Sequence, residues 1–123
     1  MHYFIFPEID TTLYQASGSG NSGLDEILEV RKTMSNSGGN IKVSRILIKF
    51  DISEISSSIV NGTISTDAKY YLNMYDAGSE ELSTSQSLWA YPVSQSWVEG
   101  QGTFSDDPKT TEGASWNFRD GLT

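Results

Sequence analysis

Apolar and polar positions alternate over several short runs of the chain. The clearest is residues 43–50, where Ile46, Ile48 and Phe50 point one way and Arg45 and Lys49 the other. Leu47 interrupts the polar side, which predicts a strand covered in part on its second face. Thr11-Thr12-Leu13-Tyr14 is a second strand, and Tyr3 to Phe6 form a short apolar run stopped by Pro7. Residues 69–76 read as a strand with Tyr70, Leu72 and Met74 opposite Tyr71, Asn73 and Tyr75. Residues 87–93 read as another, with Trp89, Tyr91 and Val93 opposite Leu88 and Ala90. Pro92 puts its end at a sheet edge or bulge, because proline has no N–H for the ladder. Asp51-Ile52-Ser53-Glu54-Ile55 predicts a capped turn or one helical turn, with Asp51 or Ser53 as N-cap. Asn61-Gly62 predicts a tight turn. After Trp97 the chain is turn-rich, with Gly100, Gly102, Pro108, Gly113 and Gly121.

Residues 24–34 carry two patterns. Leu24, Ile27, Leu28, Arg31 and Met34 recur at helical spacing, with acids before and bases after, as a helix dipole favours. Leu28 and Val30 also alternate with Glu29 and Arg31, as in a strand. Six or seven short strands with little helix predict an all-β fold, an antiparallel β-sandwich burying alternate side chains of each strand.

Composition narrows the function. A chain of 123 residues suits one domain. It has no Cys, which excludes disulfides, a thiol nucleophile and Cys-based metal sites. One His, His2, excludes multi-His metal sites and most His-dependent triads. Eight basic against sixteen acidic residues give a net charge of -8, which argues against binding nucleic acid backbones. No apolar run approaches the ~18 residues of a membrane span, and the first eight residues lack a basic n-region and cleavage site. The expectation is a non-enzymatic protein with no cofactor, no membrane and no nucleic acid.

Each motif with possible chemistry has a plainer reading. Gly18-Ser19-Gly20-Asn21-Ser22-Gly23 matches G-x-G-x-x-G, but no buried parallel strand precedes it and no second βαβ unit follows, so a flexible loop is expected. Asp10, Asp76, Glu99, Asp106 and Asp107 are oxygen donors of the type calcium takes, without a recognised ligand spacing; they are read as turn caps, with no metal site. Nothing singles out a carboxylate pair for glycoside hydrolysis. Asn61-Gly62-Thr63 matches a glycosylation sequon and is read as a turn. Trp89, Tyr91, Trp97, Phe104, Trp116 and Phe118 concentrate in the last third. Buried, they are core; exposed, their flat faces would stack on the C–H faces of sugar rings.

Three segments together resemble a known family. They are Thr11-Thr12-Leu13-Tyr14 with the glycine-rich loop and Leu28-Glu29-Val30; Ser44-Arg45-Ile46-Leu47-Ile48-Lys49-Phe50-Asp51-Ile52-Ser53; and Ser96-Trp97-Val98-Glu99-Gly100-Gln101-Gly102 with Gly113-Ala114-Ser115-Trp116. Their order is similar to that of DNRLRE-type domains, β-sandwiches related to carbohydrate-binding modules. The resemblance implies a jelly-roll-like sandwich, with residues 28–32 a strand despite their helical signal. It implies closing strands beyond the second Trp, so the chain reads as an N-terminal fragment or as completed by another subunit. Similar domains occur in bacteriophage tail, neck, baseplate and capsid-surface proteins. The expected function is therefore a structural virion component, assembled in the bacterial cytoplasm, that contacts other virion proteins in a homo- or hetero-oligomer. The alternative is a carbohydrate-binding module recognising a cell-surface glycan. In either case Trp89, Tyr91, Trp97, Phe104, Trp116 and Phe118 are the expected contact residues, and no residue is catalytic.

Overall fold

The computed structural model describes residues 1–34, 38–79 and 87–123. Its regular structure is mostly antiparallel sheet. Strand β1 (Pro7–Tyr14) passes through a short 3-10 turn (Gln15–Ser17) into a long loop; β2 (Lys32–Met34) and β3 (Ile41–Phe50) follow, then helix α1 (Ile52–Val60). The sheet order is β1-β3-β2. β3 is central because it is the longest run of β-branched and apolar residues, which suit a half-buried pleated surface.

β1 lies antiparallel to β3, with Tyr14 opposite Ser44 and Pro7 opposite Phe50, and the register shifts between Pro7 and Ile9. Proline is tolerated at the first position of an edge strand. The outer edge of β1 is met by side chains, and among the described residues no fourth strand pairs with it. The Asp10 N–H donates to Glu99 Oε1 at 3.0 Å, and Ser22 Oγ donates to the Thr12 carbonyl. Covering an edge in this way blunts its tendency to pair with other chains.

The helix signal of residues 24–34 gives way to the sheet. Glu29 N–H donates to Thr12 Oγ1 at 3.1 Å and Arg31 N–H to Ser44 Oγ at 2.7 Å, while the Ser44 N–H donates to the Arg31 carbonyl at 2.9 Å. These bonds take the backbone groups a helix would need. The strand expected over 28–32 lies further on, at Lys32–Met34, opposite Ile41–Val43.

Asp51 caps α1 by accepting from the Ser53 N–H at 2.9 Å. The helix runs nine residues rather than one turn, and docks when buried Ser58 and Glu54 engage the Tyr3 hydroxyl. Asn61 and Gly62 end it; Gly62 sits at φ +80°, a conformation glycine adopts without penalty.

The ladders expected over 69–76 and 87–93 are not formed. Tyr71, Tyr75, Trp89 and Tyr91 are exposed, and neither segment carries strand pairing. Alternation signals a strand only where a neighbouring edge supplies hydrogen bonds and a layer supplies burial. The Ile46, Ile48 and Phe50 face of β3 instead opens onto a broad cleft of ≈ 3700 Å³, which residues 69–76 also line. The interior of the described residues is mostly polar. Thr12, Asn21, Ser22 and Ser115 are buried beside Tyr14 and Ala114 and are hydrogen-bonded, while the buried Thr11 Oγ1 has no partner among the described residues; hydrogen bonds rather than an apolar cluster order this end of the molecule.

Candidate functional site

Asn21 is the knot that joins the glycine-rich loop to the C-terminal third. It is 1% exposed. Its Nδ2 donates to the carbonyls of Glu99 at 2.7 Å and Ala114 at 2.9 Å. Its Oδ1 accepts from the Gly23 N–H at 3.1 Å and the Gly102 N–H at 2.9 Å. The side chain thus uses all four of its hydrogen-bonding positions. Its own N–H donates to the Thr110 carbonyl at 2.8 Å. The flexible loop expected at 18–23 is therefore a packed one: Gly20, Asn21, Ser22 and Gly23 are buried. No helix follows Gly23, and the Asn21 and Gly23 N–H groups that a phosphate would need already have partners.

Glycines make the knot possible. A Cβ on Gly102 would lie 2.6 Å from the Asn21 carbonyl oxygen, and one on Gly113 would lie 2.6 Å from Gly100 Cα. Gly100 and Gly113 also sit at φ +80° and +98°. The loops meet backbone to backbone, which only residues without side chains permit.

Around the knot the chain builds a small aromatic cleft of ≈ 290 Å³. The sheet contributes Leu13 and Leu47; the loops contribute Trp97, Trp116 and Phe118, all half-buried. Gln95, Asn117 and Arg119 add polar groups. The frame is pinned by backbone bonds. Val98 N–H donates to the Arg119 carbonyl at 3.0 Å, Ala114 N–H to the Val98 carbonyl at 2.6 Å, and Ser115 N–H to the Phe118 carbonyl at 2.7 Å. Asn117 N–H donates to the Gly18 carbonyl at 2.9 Å. Arg45, for which the resemblance implies the exposed or inter-element face of β3, is exposed, and its guanidinium stands 4.8 Å from the Trp116 ring centroid. Such a pair steadies the ring by about 0.5–1 kcal/mol at an exposed site.

The six aromatics singled out in the sequence therefore divide. Trp97, Trp116 and Phe118 share the cleft. Phe104 lies elsewhere, 4.5 Å from the Tyr14 ring centroid, with Lys109 Nζ at 4.8 Å and Arg31 at 5.7 Å from its own. Its N–H donates to Asp25, so it fastens the 103–110 loop to the end of β1. Trp89 and Tyr91 are 79% and 77% exposed and do not line the cleft. Asn21, Arg45 and Arg119 were not singled out as site residues from sequence.

Asp76, Asp106 and Asp120 serve turns and loops, whereas Asp10, expected as a turn cap, lies within β1, and Glu99, expected likewise, accepts from the Asp10 N–H. Among the described residues no three His, Cys, Asp or Glu side chains converge as a metal site. Asp76 accepts from Gly78 and Ser79. Hydrogen bonds from Thr110 and Thr103 hold the Asp106 carboxyl down at about 2, and the backbone N–H groups of Leu122 and Thr123 do the same for Asp120. Asp10 is raised, first by burial and then by the nearby Glu99 charge. The signs oppose. A carboxyl lowered in the folded state contributes stability that is present above its unfolded value of 3.8 and lost as pH falls toward about 2. A raised carboxyl such as Asp10 favours folding when protonated, and that contribution is lost as pH rises through its folded value. Thermal melts against pH are expected to steepen between 3.8 and about 2. Asp106→Asn should flatten this limb, whereas Asp10→Asn should raise the melting temperature near neutrality; unchanged pH profiles in both variants would contradict these roles.

Comparison with known families places the cleft in context. The model of carbohydrate-binding module family 96 matches residues 2–119. The chain belongs to that family. The match spans β1, the knot and the aromatic residues of the cleft. No curated protein and no solved structure shows significant similarity to it. Membership bears out the relation to carbohydrate-binding modules expected from the three segments, and it is a family of binding modules rather than catalysts.

Proposed function

We propose that the protein is a non-catalytic carbohydrate-binding module whose contact surface is the cleft of Trp97, Trp116 and Phe118. The observation that carries this reading is the convergence of those rings with Gln95, Asn117 and Arg119 in one small cleft of a family 96 chain. Aromatic faces accept the C–H face of a sugar ring, and the polar groups hydrogen-bond its hydroxyls, a division of labour typical of small-ligand sites. The backbone bonds that hold Val98, Ser115 and Asn117 fix the rings before a ligand arrives, which lowers the entropic cost of binding.

The test is a glycan array followed by titration of the hits. Trp116→Ala and Trp97→Ala are expected to weaken binding about thirtyfold, the effect of losing about 2 kcal/mol at an aromatic hot spot. Trp89→Ala should bind like the parent protein. No hit on the array, or equal loss in Trp89→Ala, would overturn the assignment.

The virion-component reading, the first choice from sequence, gains no support from family membership, which favours the carbohydrate alternative. It rests on the resemblance to domains of bacteriophage particles; the exposed Tyr71, Tyr75, Trp89 and Tyr91 suit contact with another protein of any kind. A two-layer sandwich belongs to this proposal too. Residues 69–76 and 87–93, alternating in sequence, would supply a second layer over Ile46, Ile48 and Phe50.

A further inference from the structure

We infer that Asn61 is a site of spontaneous deamidation, gated by the C-terminal end of α1. The Asn61-Gly62-Thr63 turn takes no part in the small cleft, and its chemistry is independent of any bound sugar.

The reaction needs only this chain and water. The Gly62 amide nitrogen loses its proton and attacks Asn61 Cγ. A bond forms between them, the Cγ–Nδ2 bond breaks, and ammonia leaves. Water then opens the cyclic imide at either carbonyl, giving aspartate or isoaspartate. Glycine in second place favours the attack, because no Cβ crowds the nitrogen. All three residues of the turn are exposed, and among the described residues nothing lies within 4 Å of where a Gly62 Cβ would stand, so water and the closing ring have room. The carbon under attack is also activated. Asn61 Oδ1 accepts from the Thr63 N–H at 3.0 Å and from Thr63 Oγ1 at 2.6 Å. Donors on that oxygen stabilise the negative charge it gains as the nitrogen adds.

Folding holds the nucleophile back. Asn61 caps α1 at φ -83° and ψ 0°, and its N–H donates to the Ser57 carbonyl at 3.0 Å. The Gly62 N–H donates to the Ile59 carbonyl at 3.1 Å, so the proton that must leave is engaged. At ψ 0° the Gly62 nitrogen is turned away from Asn61 Cβ, whereas the imide ring needs it beside the side chain. Ring closure therefore requires the last turn of α1 to open. The Thr63 donors lie within the turn and do not depend on the helix.

The product disturbs what it replaces. A carboxylate at a helix C-terminus opposes the helix dipole. Isoaspartate adds a methylene to the backbone and displaces Gly62 and Ile64 from Ile59 and Ser58, to whose carbonyls their N–H groups donate at 3.1 and 2.9 Å. Ser58 Oγ donates in turn to the Tyr3 hydroxyl at 3.3 Å, so the change reaches the N-terminal segment.

The experiment incubates the intact chain in mildly alkaline buffer, with and without guanidinium chloride, and follows it by tryptic digestion. Peptide 50–69 holds Asn61 and no other Asn, so mass spectrometry reads the conversion of amide to acid at this site alone. Conversion is expected in denaturant and, about tenfold or more slower, in buffer, since a helix end is open only part of the time. Asp51→Ala removes the cap at the far end of α1 without touching the turn. It should speed conversion in buffer about fivefold, the factor matching loss of a typical N-cap, and leave the rate in denaturant unchanged. An unconverted peptide in denaturant would overturn the site. Equal rates with and without denaturant, or an Asp51→Ala rate in buffer equal to the parent's, would overturn the gate.

Discussion

Asn21→Ala is expected to cost about 3–5 kcal/mol, a large share of the 5–15 kcal/mol that holds a typical domain folded. Four hydrogen bonds disappear, each worth about 1 kcal/mol net. The larger part of the loss is what remains. The Glu99 and Ala114 carbonyls and the Gly23 and Gly102 N–H groups stay in place without the partner that brought them out of water, and unsatisfied buried groups cost about 1–3 kcal/mol each when water cannot reach them. Asn21→Asp separates hydrogen bonding from volume. The carboxylate fills the same space but turns a donor into a second acceptor facing two carbonyl oxygens. It should therefore destabilise at least as much as alanine. Chemical denaturation measures both, and an Asn21→Asp protein with the parent midpoint would show that the knot contributes nothing. Because Asn21 ties Glu99 to Ala114, close to Trp97 and Trp116, binding should fail together with folding in these variants.

That residue shows where sequence reading stops. Asn21 sits in a run of Gly and Ser that promises only a pliant loop. Its partners at Glu99, Gly102 and Ala114 lie 78, 81 and 93 residues away, and no local pattern encodes such pairings. The central strand was legible for the opposite reason. β3 carries its own alternation of Ile and charged residues, and Asp51 its own cap two residues before Ser53. The cleft was half legible. The aromatic richness of the last third pointed to Trp97, Trp116 and Phe118, but an aromatic residue looks the same in sequence whether it lines a cleft, as these do, or fastens a loop, as Phe104 does. Residues 24–34 and 69–76 mark the same limit in backbone terms. Thr12 and Ser44 decided the first by taking its N–H groups, and the lack of an adjoining ladder decided the second.

The glycines of the knot give the second large effect, because they combine two separable costs. Gly113 and Gly38 have nearly the same backbone, φ +98° and +93°. An alanine at either pays for a left-handed conformation, about 1 kcal/mol or somewhat more. At Gly38 that is the cost expected, since nothing among the described residues lies within 4 Å of the added carbon. At Gly113 the carbon would stand 2.6 Å from Gly100 Cα and 2.7 Å from Asn21 Nδ2, and neither can swing aside as a surface side chain would. Backbone must move, overpacking adds about 1–3 kcal/mol, and the shift breaks the Asn21 geometry. Gly113→Ala should thus lose about 3 kcal/mol or more and Gly38→Ala about 1 kcal/mol, read as the difference between two denaturation midpoints. In the double variant Asn21→Ala with Gly113→Ala, the glycine's cost should shrink, because one of its two close neighbours is gone and the other is free to relax. Equal costs at the two glycines, or full additivity with Asn21→Ala, would mean that the loops do not meet at the asparagine and that the cleft is held by something else.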